Sequence, residues 1–334
     1  KSLGNGVDPL EVVQETGADA LRFSLVNGIA RGGDVCFSTE SLASYRNFMN
    51  KLFNAAKYVI GACEANGYEQ KPKALTVADG WLFGKLNKLI GDVNTAMNRY
   101  DVGHAAEALY NFIWDEFCDW YIEFSKVQIR NGNAKNTAGI LRYALEVLLK
   151  LVHPIIPFIT TELYDNLPGA EGELMLSDYP TKKRCDYSAE EALAERVKDC
   201  VRAVRNLKQT NDAVAKTPEV FAEGDGALID ALKTYLPRLA GTGEVGVADG
   251  AVENAALIAL DGIKLYIPLA DAGKEREPLQ KDLEFSESEL RLAQSKLNNA
   301  GFVAKAPQKL VDAEKQKVAD FTERVRALKE KLGL

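Results

Sequence analysis

The chain has 334 residues, 41 Lys and Arg against 48 Asp and Glu for a net charge of −7, and 46% hydrophobic residues. Those values exclude a disordered or fibrous chain and, at roughly 100–200 residues per domain, predict two or three domains, each with its own core. The longest apolar stretch, from Leu145 to Ile159, is interrupted by Lys150, His153, Pro154 and Pro157 and falls short of the roughly 20 apolar residues a bilayer helix needs, so no membrane partner is expected.

The chain opens Lys1-Ser2-Leu3-Gly4 without a charged-then-apolar leader; no signal peptide is expected, and the stretch reads as a segment of something longer. Asp8-Pro9 places an N-cap residue before a proline at the first helical position, and Gly17 ends that short helix. A second short helix runs through Leu21 and Leu25. From Ser38 to about Asn211 the pattern is almost wholly helical. Leu82, Leu86, Leu89, Val93 and Met97 recur at three and four residues, as do Leu141, Leu145, Leu148 and Val152, one apolar stripe on each of two long helices. Breaks are predicted at Asn66-Gly67, Tyr100-Asp101, Asn131-Gly132 and Pro168-Gly169. Long helices joined by short connections predict an antiparallel bundle.

After Asn211 the composition turns strand-like at Glu219-Val220-Phe221, Glu244 to Val247 and Ala255 to Leu269, with a helix near Leu228 to Leu239. Asp261-Gly262 predicts a hairpin with a two-residue primed turn. In the last segment Leu283, Leu290 and Leu297 are spaced by seven, and so are Val311, Val318, Val325 and Leu332, with Phe321 and Leu328 completing the second seam. Asn298-Asn299-Ala300-Gly301 stops one helix and Pro307 opens the next. The predicted fold class is mainly α: a helical bundle, a small α/β module and a C-terminal two-helix antiparallel coiled coil. The expected divisions are 1–35 (connecting helices), 36–215 (bundle), 216–272 (module) and 273–334 (coiled-coil arm).

Cys36, Cys63, Cys118, Cys185 and Cys200 are scattered without a C-x-x-C pair, and His104 and His153 are the only histidines, so neither a metal site nor a disulfide framework is expected and the compartment reads as a reducing cytosol. Cys118 reads as a buried thiol, His153 as a helix-end residue. No Gly-rich phosphate loop and no Ser-His-Asp set is present. Asp115, Asp119 and Glu123 read as a solvated i, i+4 face rather than an acid/base pair. From Arg291 onward Lys and Arg outnumber Asp and Glu two to one, and Lys317, Arg324 and Lys331 repeat at seven. That stripe suits a phosphate backbone, but on the residues alone a solvated coiled-coil flank is the favoured reading. Arg196, Lys198, Arg202, Arg205 and Lys208 form a second basic helix face. Arg46, Lys51, Lys57 and Tyr58 mix cations with a ring, as unpaired bases require, although core packing accounts for the aromatic residues nearby as well.

Several stretches resemble class I aminoacyl-tRNA synthetases. Lys1-Ser2-Leu3-Gly4-Asn5 is similar to the end of the K-M-S-K-S loop. Asn50 to Ala55, Trp114-Asp115-Glu116-Phe117-Cys118-Asp119-Trp120-Tyr121 and His153-Pro154-Ile155-Ile156-Pro157-Phe158 resemble the anticodon-binding helical domain of the valyl, isoleucyl and leucyl enzymes. Leu297 to Pro307 is similar to the turn of the valyl-tRNA synthetase arm, whereas an isoleucyl enzyme would be expected to carry cysteine-rich zinc motifs. The resemblance implies ATP- and Mg-dependent attachment of valine to tRNA(Val), with Lys1 on the ATP phosphates of the whole enzyme. This stretch contains no H-I-G-H motif and no editing domain, and is expected to be inactive alone, monomeric and cytoplasmic. By the same resemblance Arg46, Lys51, Lys57, Tyr58, Asp115 and Asp119 are candidates for the anticodon, with Trp114 and Trp120 mainly core. Arg291, Lys305, Lys317 and Arg324 are candidates for the outer corner of the tRNA. The alternatives are an isoleucyl- or leucyl-type region and a helical scaffold without RNA.

Overall fold

The computed structural model describes residues 8–27, 39–269, 272–298 and 308–332. Helix α1 (Pro9–Thr16) is capped by Asp8, whose carboxylate accepts from the Leu10 amide at 2.8 Å, and Gly17, at φ 91, separates it from α2 (Ala18–Ser24). Arg22 Nε on α2 donates to the Ile155 carbonyl at 2.9 Å, and Asp19 accepts from the Phe158 and Ile159 amides at the start of α8 (Pro157–Asp165). His153 Nδ1 meets Thr160 Oγ1 at 2.8 Å there, the helix-end role expected of it.

The bundle is built from α3 (Thr39–Asn66), α4 (Val77–Asn98), α5 (Val102–Asn111), α6 (Ile122–Gln128), α7 (Ala134–Val152) and α9 (Ser188–Thr210). Leu82, Leu86, Leu89 and Val93 of α4 and Leu141, Leu145, Leu148 and Val152 of α7 are all buried, as their spacing predicts, each contributing about 1.5–3 kcal/mol of transfer free energy; Met97 is only partly covered. The four predicted breaks fall at helix ends or kinks; Gly132 (φ 93) interrupts the π-helical turn Ile129–Asn133 ahead of α7.

Between α5 and α6 the chain runs as a π-helix, Phe112–Tyr121, that local periodicity did not foretell. Its i→i+5 bonding widens the turn, and Asp115 and Asp119 stay solvated as expected, with Glu123 partly covered. Asp119 reaches Lys51, Glu123 pairs with Lys126, and Asp115 stays exposed. Gly139 on α7 lets the 67–76 connection lie against the helix. A Cβ there would stand 2.3 Å from the Glu69 carbonyl oxygen, whose own amide donates to Lys135 O at 3.0 Å.

The module is a four-stranded sheet of order β2-β1-β4-β3. Strand β1 (Val220–Gly224) runs parallel to β2 (Val245–Val247) through α10 (Gly226–Leu236), and antiparallel to β4 (Ile263–Pro268), which pairs in a hairpin with β3 (Ala255–Leu260). The hairpin stands where Asp261-Gly262 predicts it, but only Gly262 has positive φ, so the turn is not of the primed type. Tertiary bonds use its carbonyls: Arg196 Nη2 donates to Asp261 O at 3.0 Å and the Asp225 amide to Gly262 O at 3.1 Å.

Helices α11 (Ala272–Asn298) and α12 (Gln308–Leu332) pack against each other as an antiparallel pair, with the turn predicted around Gly301 and Pro307 outside the described residues. Leu283, Val325 and Leu328 make its small core, while Leu290 and Leu297 are half-buried and Ser286 and Glu314 occupy covered positions. A seam this thin leaves much of the register to cross-helix charge pairs, Arg324 with Asp282 at 2.8 Å and Lys329 with Glu287 at 2.8 Å.

Candidate nucleic-acid interface

Lys51 on α3 is held from two sides. Its Nζ lies 2.7 Å from the Asp119 carboxylate and 3.8 Å from the centroid of the Trp114 ring, which itself stacks on Tyr110 at 5.7 Å. Trp114, read mainly as core, packs against the core while half-buried and also carries the Lys51 cation, whereas Trp120 is buried. Cys118 between them is only partly covered as a residue, yet burial pushes its thiol up to about 12, so it is unreactive as expected.

One turn or two along the same helix, Tyr58 is half-buried against the core and its hydroxyl shares a hydrogen bond with Ser125 Oγ at 3.1 Å. Its neighbours form a groove of about 410 Å³ whose lining carries four cations, Lys57, Lys126, Arg130 and Arg238, and no carboxylate. Lys126 stands 5.6 Å over the Tyr58 ring and also pairs with Glu123 at 2.5 Å. Arg46 and Lys57 are exposed. Sequence reasoning missed Lys126, Arg130 and Arg238. The i, i+4 spacing of Lys126 on α6 and Arg130 in the turn that follows it is a signal that could have found two of them, but Arg238 arrives from beyond α10 and nothing local announces it.

The second basic face needs correction. Lys198 is 1% exposed, its Nζ bonded to Glu116 at 2.7 Å and Glu195 at 3.0 Å and lying 4.7 Å over Trp81. Burial opposes the Glu195 charge, but hydrogen bonds from Lys85, Trp81 and Lys198 outweigh it and hold the carboxyl at about 2. Arg196 pairs with Asp225 at 2.6 Å, Arg205 donates to Leu239 O at 2.8 Å and Lys208 to Gly241 O at 2.6 Å. Arg196, Arg205 and Lys208 thus fasten α9 to the module, while Arg202 stays exposed and pairs with Asp199 at 3.0 Å.

Lys1 and Lys305 lie outside the described residues, and on the arm three candidates can be placed. Arg324 makes two bonds to Asp282, at 2.8 and 3.0 Å, Lys317 lies 3.8 Å from Glu314, and Arg291 lies 3.9 Å from Glu287. All three are exposed, so these pairs are weak in water. Among the described residues no group of three His, Cys, Asp or Glu could hold a metal ion, and no helix is long and apolar enough to cross a membrane.

Residues 79–222 match the family described as the anticodon-binding domain of tRNA ligase, and residues 271–333 match the valyl tRNA synthetase tRNA binding arm. Valine-tRNA ligases of Bacillus cereus (strain ATCC 10987 / NRS 248) and Carboxydothermus hydrogenoformans are 37% identical over 350 residues and 38% identical over 356, each alignment taking in 100% of this chain and 40% of the relative. The chain thus spans two fifths of the length of the curated relatives it matches. Among solved structures, a LeuRS-tRNA-LeuAMS complex from Agrobacterium radiobacter K84 aligns with 55% of this chain and 22% of its own at 21% identity and a TM-score of 0.44, a likeness too low to bear on function. With both signatures present and its whole length aligned to valine-tRNA ligases, the chain belongs to the valyl-tRNA synthetase family and corresponds to the part that carries the anticodon-binding domain and the arm.

Proposed function

We propose that this chain is the tRNA-holding part of a valine-tRNA ligase, monomeric and cytoplasmic, with the bundle (36–215) gripping the anticodon region and the arm (273–334) docking on the outer corner of tRNA(Val). The α/β module (216–272) and the connecting helices (1–35) join these to the body of the enzyme, which attaches valine using ATP and Mg. The chain spans two fifths of its relatives' length, and in this reading its own chemistry is binding and it is inactive alone. In this reading Lys51, set by Asp119 and Trp114, and Tyr58, set by Ser125, present a cation and a ring edge to loop bases, with Arg46, Lys57 and Asp115 around them.

The observation that carries the reading is the acid-free groove beside Tyr58: four cations meet around a ring on a chain whose net charge is −7, the combination that holds a backbone while a base stacks. The test is the affinity of the chain for a valine tRNA and an isoleucine tRNA between about 50 and 200 mM salt. Binding should weaken steeply with salt, and Lys57→Ala with Arg130→Ala should cost about tenfold in affinity and flatten the log-log slope by about 1.5, as expected for two lost phosphate contacts. No binding at the lowest salt, or an unchanged slope in the double variant, would sink the reading.

A further inference from the structure

A second concave surface lies on the other flank of α4, between the 70–74 loop, α7 and the connection from Thr181 to Tyr187. It encloses about 670 Å³. Three half-buried rings form its floor: Phe83 and Tyr143 meet edge to face at 5.9 Å, and Phe83 and Tyr187 lie 6.0 Å apart. Lys71, Lys73, Lys183 and Arg184 stand around the rim, all exposed, and none makes an ion pair with a described residue. Glu190 is the one carboxylate in the lining, and it lies against the backbone of α4, where a Cβ on Gly80 would come within 2.6 Å of it.

Both walls are fixed before any ligand arrives. Asn87 accepts from the Lys183 amide at 2.8 Å and donates to the Lys183 carbonyl at 2.8 Å. Asn136 clamps Lys73 in the same way, with two bonds of 3.0 Å. Each asparagine thus reads one residue of a loop through both its polar ends, and the cations are carried on anchored backbone, which lowers the ordering cost of binding. Lys183 Nζ lies over the Tyr143 ring at 6.0 Å from its centroid, the outer limit of a direct cation-ring contact.

We propose that this cleft is a second single-stranded RNA site, resting on the reading of the chain as an RNA binder, in which one or two unpaired nucleotides stack on the rings while the rim cations hold their phosphates. Rings and unpaired cations together select a nucleotide over an acidic peptide, which would use the cations and leave the rings idle. Nothing in the family matches assigns this surface.

The probe is an eight-nucleotide single-stranded RNA of mixed sequence carrying 4-thiouridine, bound to the full chain with Lys57→Ala and Arg130→Ala already in place to silence the groove beside Tyr58. Lys71→Ala with Lys183→Ala should weaken binding about tenfold and flatten the salt slope by about 1.4. Tyr143→Leu should weaken it about fivefold with the slope unchanged, and Tyr143→Phe, which keeps the ring, should restore it. Crosslinks should fall within 70–74 and 181–187. Undiminished binding of the strand in folded variants, or crosslinks only elsewhere, would each overturn the proposal. If the tRNA test fails at Lys57 and Arg130 while these variants still respond, this site stands and the anticodon assignment falls. The reverse pattern removes this site alone.

Discussion

Replacing Lys198 by Met is expected to destabilise the folded chain by about 3 kcal/mol at pH 7, a loss typical of removing one partner from a buried ion pair. The ammonium is almost wholly withdrawn from water, and its bonds to Glu116 and Glu195 are what keep those two carboxylates compatible across the contact between α9 and the π-helical segment. With a thioether in its place, Lys85 is the one cation left to serve them, at 3.7 Å from Glu116 and 2.8 Å from Glu195, beside the Trp81 hydrogen bond to Glu195 at 3.0 Å. The pH dependence checks the cause. Glu195 is held at about 2 against an ordinary value of 4.5, so its stabilisation is fully present above 4.5 and is lost as pH falls toward 2. Because its side chain is 36% exposed, screening reduces that contribution to about 1–2 kcal/mol. Urea midpoints at pH 7 and pH 3 should therefore differ more in the parent chain than in Lys198→Met. A variant within about 0.5 kcal/mol of the parent at pH 7 would show that the cluster is a surface feature.

What the sequence revealed depended on whether the determinant was local. The apolar stripes of α4 and α7 were legible because burial on one helix face imposes a spacing of three and four. The helix ends were legible because Gly67, Gly132 and Gly169 adopt positive φ that few other residues accept. The π-helix escaped notice because its residues, Phe112 to Tyr121, satisfy an α-helical pattern equally well, and the wider turn is settled by the partners it meets. Lys198 was misread for a related reason. Its spacing from Arg202 and Arg205 puts it on a basic face, and only Glu116, on a distant part of the chain, turns that position inward. The hairpin position was legible in Asp261-Gly262, while its turn type was not, since a primed and an unprimed turn both accept glycine at that place. The site followed the same rule: cations on one helix could be paired by spacing, while the grooves beside Tyr58 and Tyr143 exist because separate elements bring their cations to one place.

Asp79→Ala is expected to cost about 3 kcal/mol, because that one buried carboxylate serves three donors at the start of α4. Its Oδ2 accepts from the amides of Leu75 and Thr76, both at 3.1 Å, completing a capping box with Thr76, and its Oδ1 accepts from the Tyr121 hydroxyl at 3.0 Å. The network continues through Thr76 Oγ1 to Gln128 at 2.7 Å and from Gln128 to Thr137 at 3.2 Å, so α4, the π-helical segment, α6 and α7 share it. Burial raises the Asp79 pKa by more than the hydrogen bonds from Leu75, Tyr121 and Thr76 lower it. The folded chain then holds this proton more tightly than the unfolded one, and stability from this group falls as pH rises from 3.8 through the folded value, the opposite sign to Glu195. Asp79→Ala should abolish that limb and leave the Glu195 limb in place, a separation that two acid titrations of unfolding can read. Hydrogen exchange supplies the local readout: the amides of Leu75 and Thr76 should lose protection first, and with them the loop that carries Lys71 and Lys73. Unchanged exchange at those two amides would mean that the loop is held by Asn136 and Gly139 alone, and that the cap stabilises α4 without shaping the cleft.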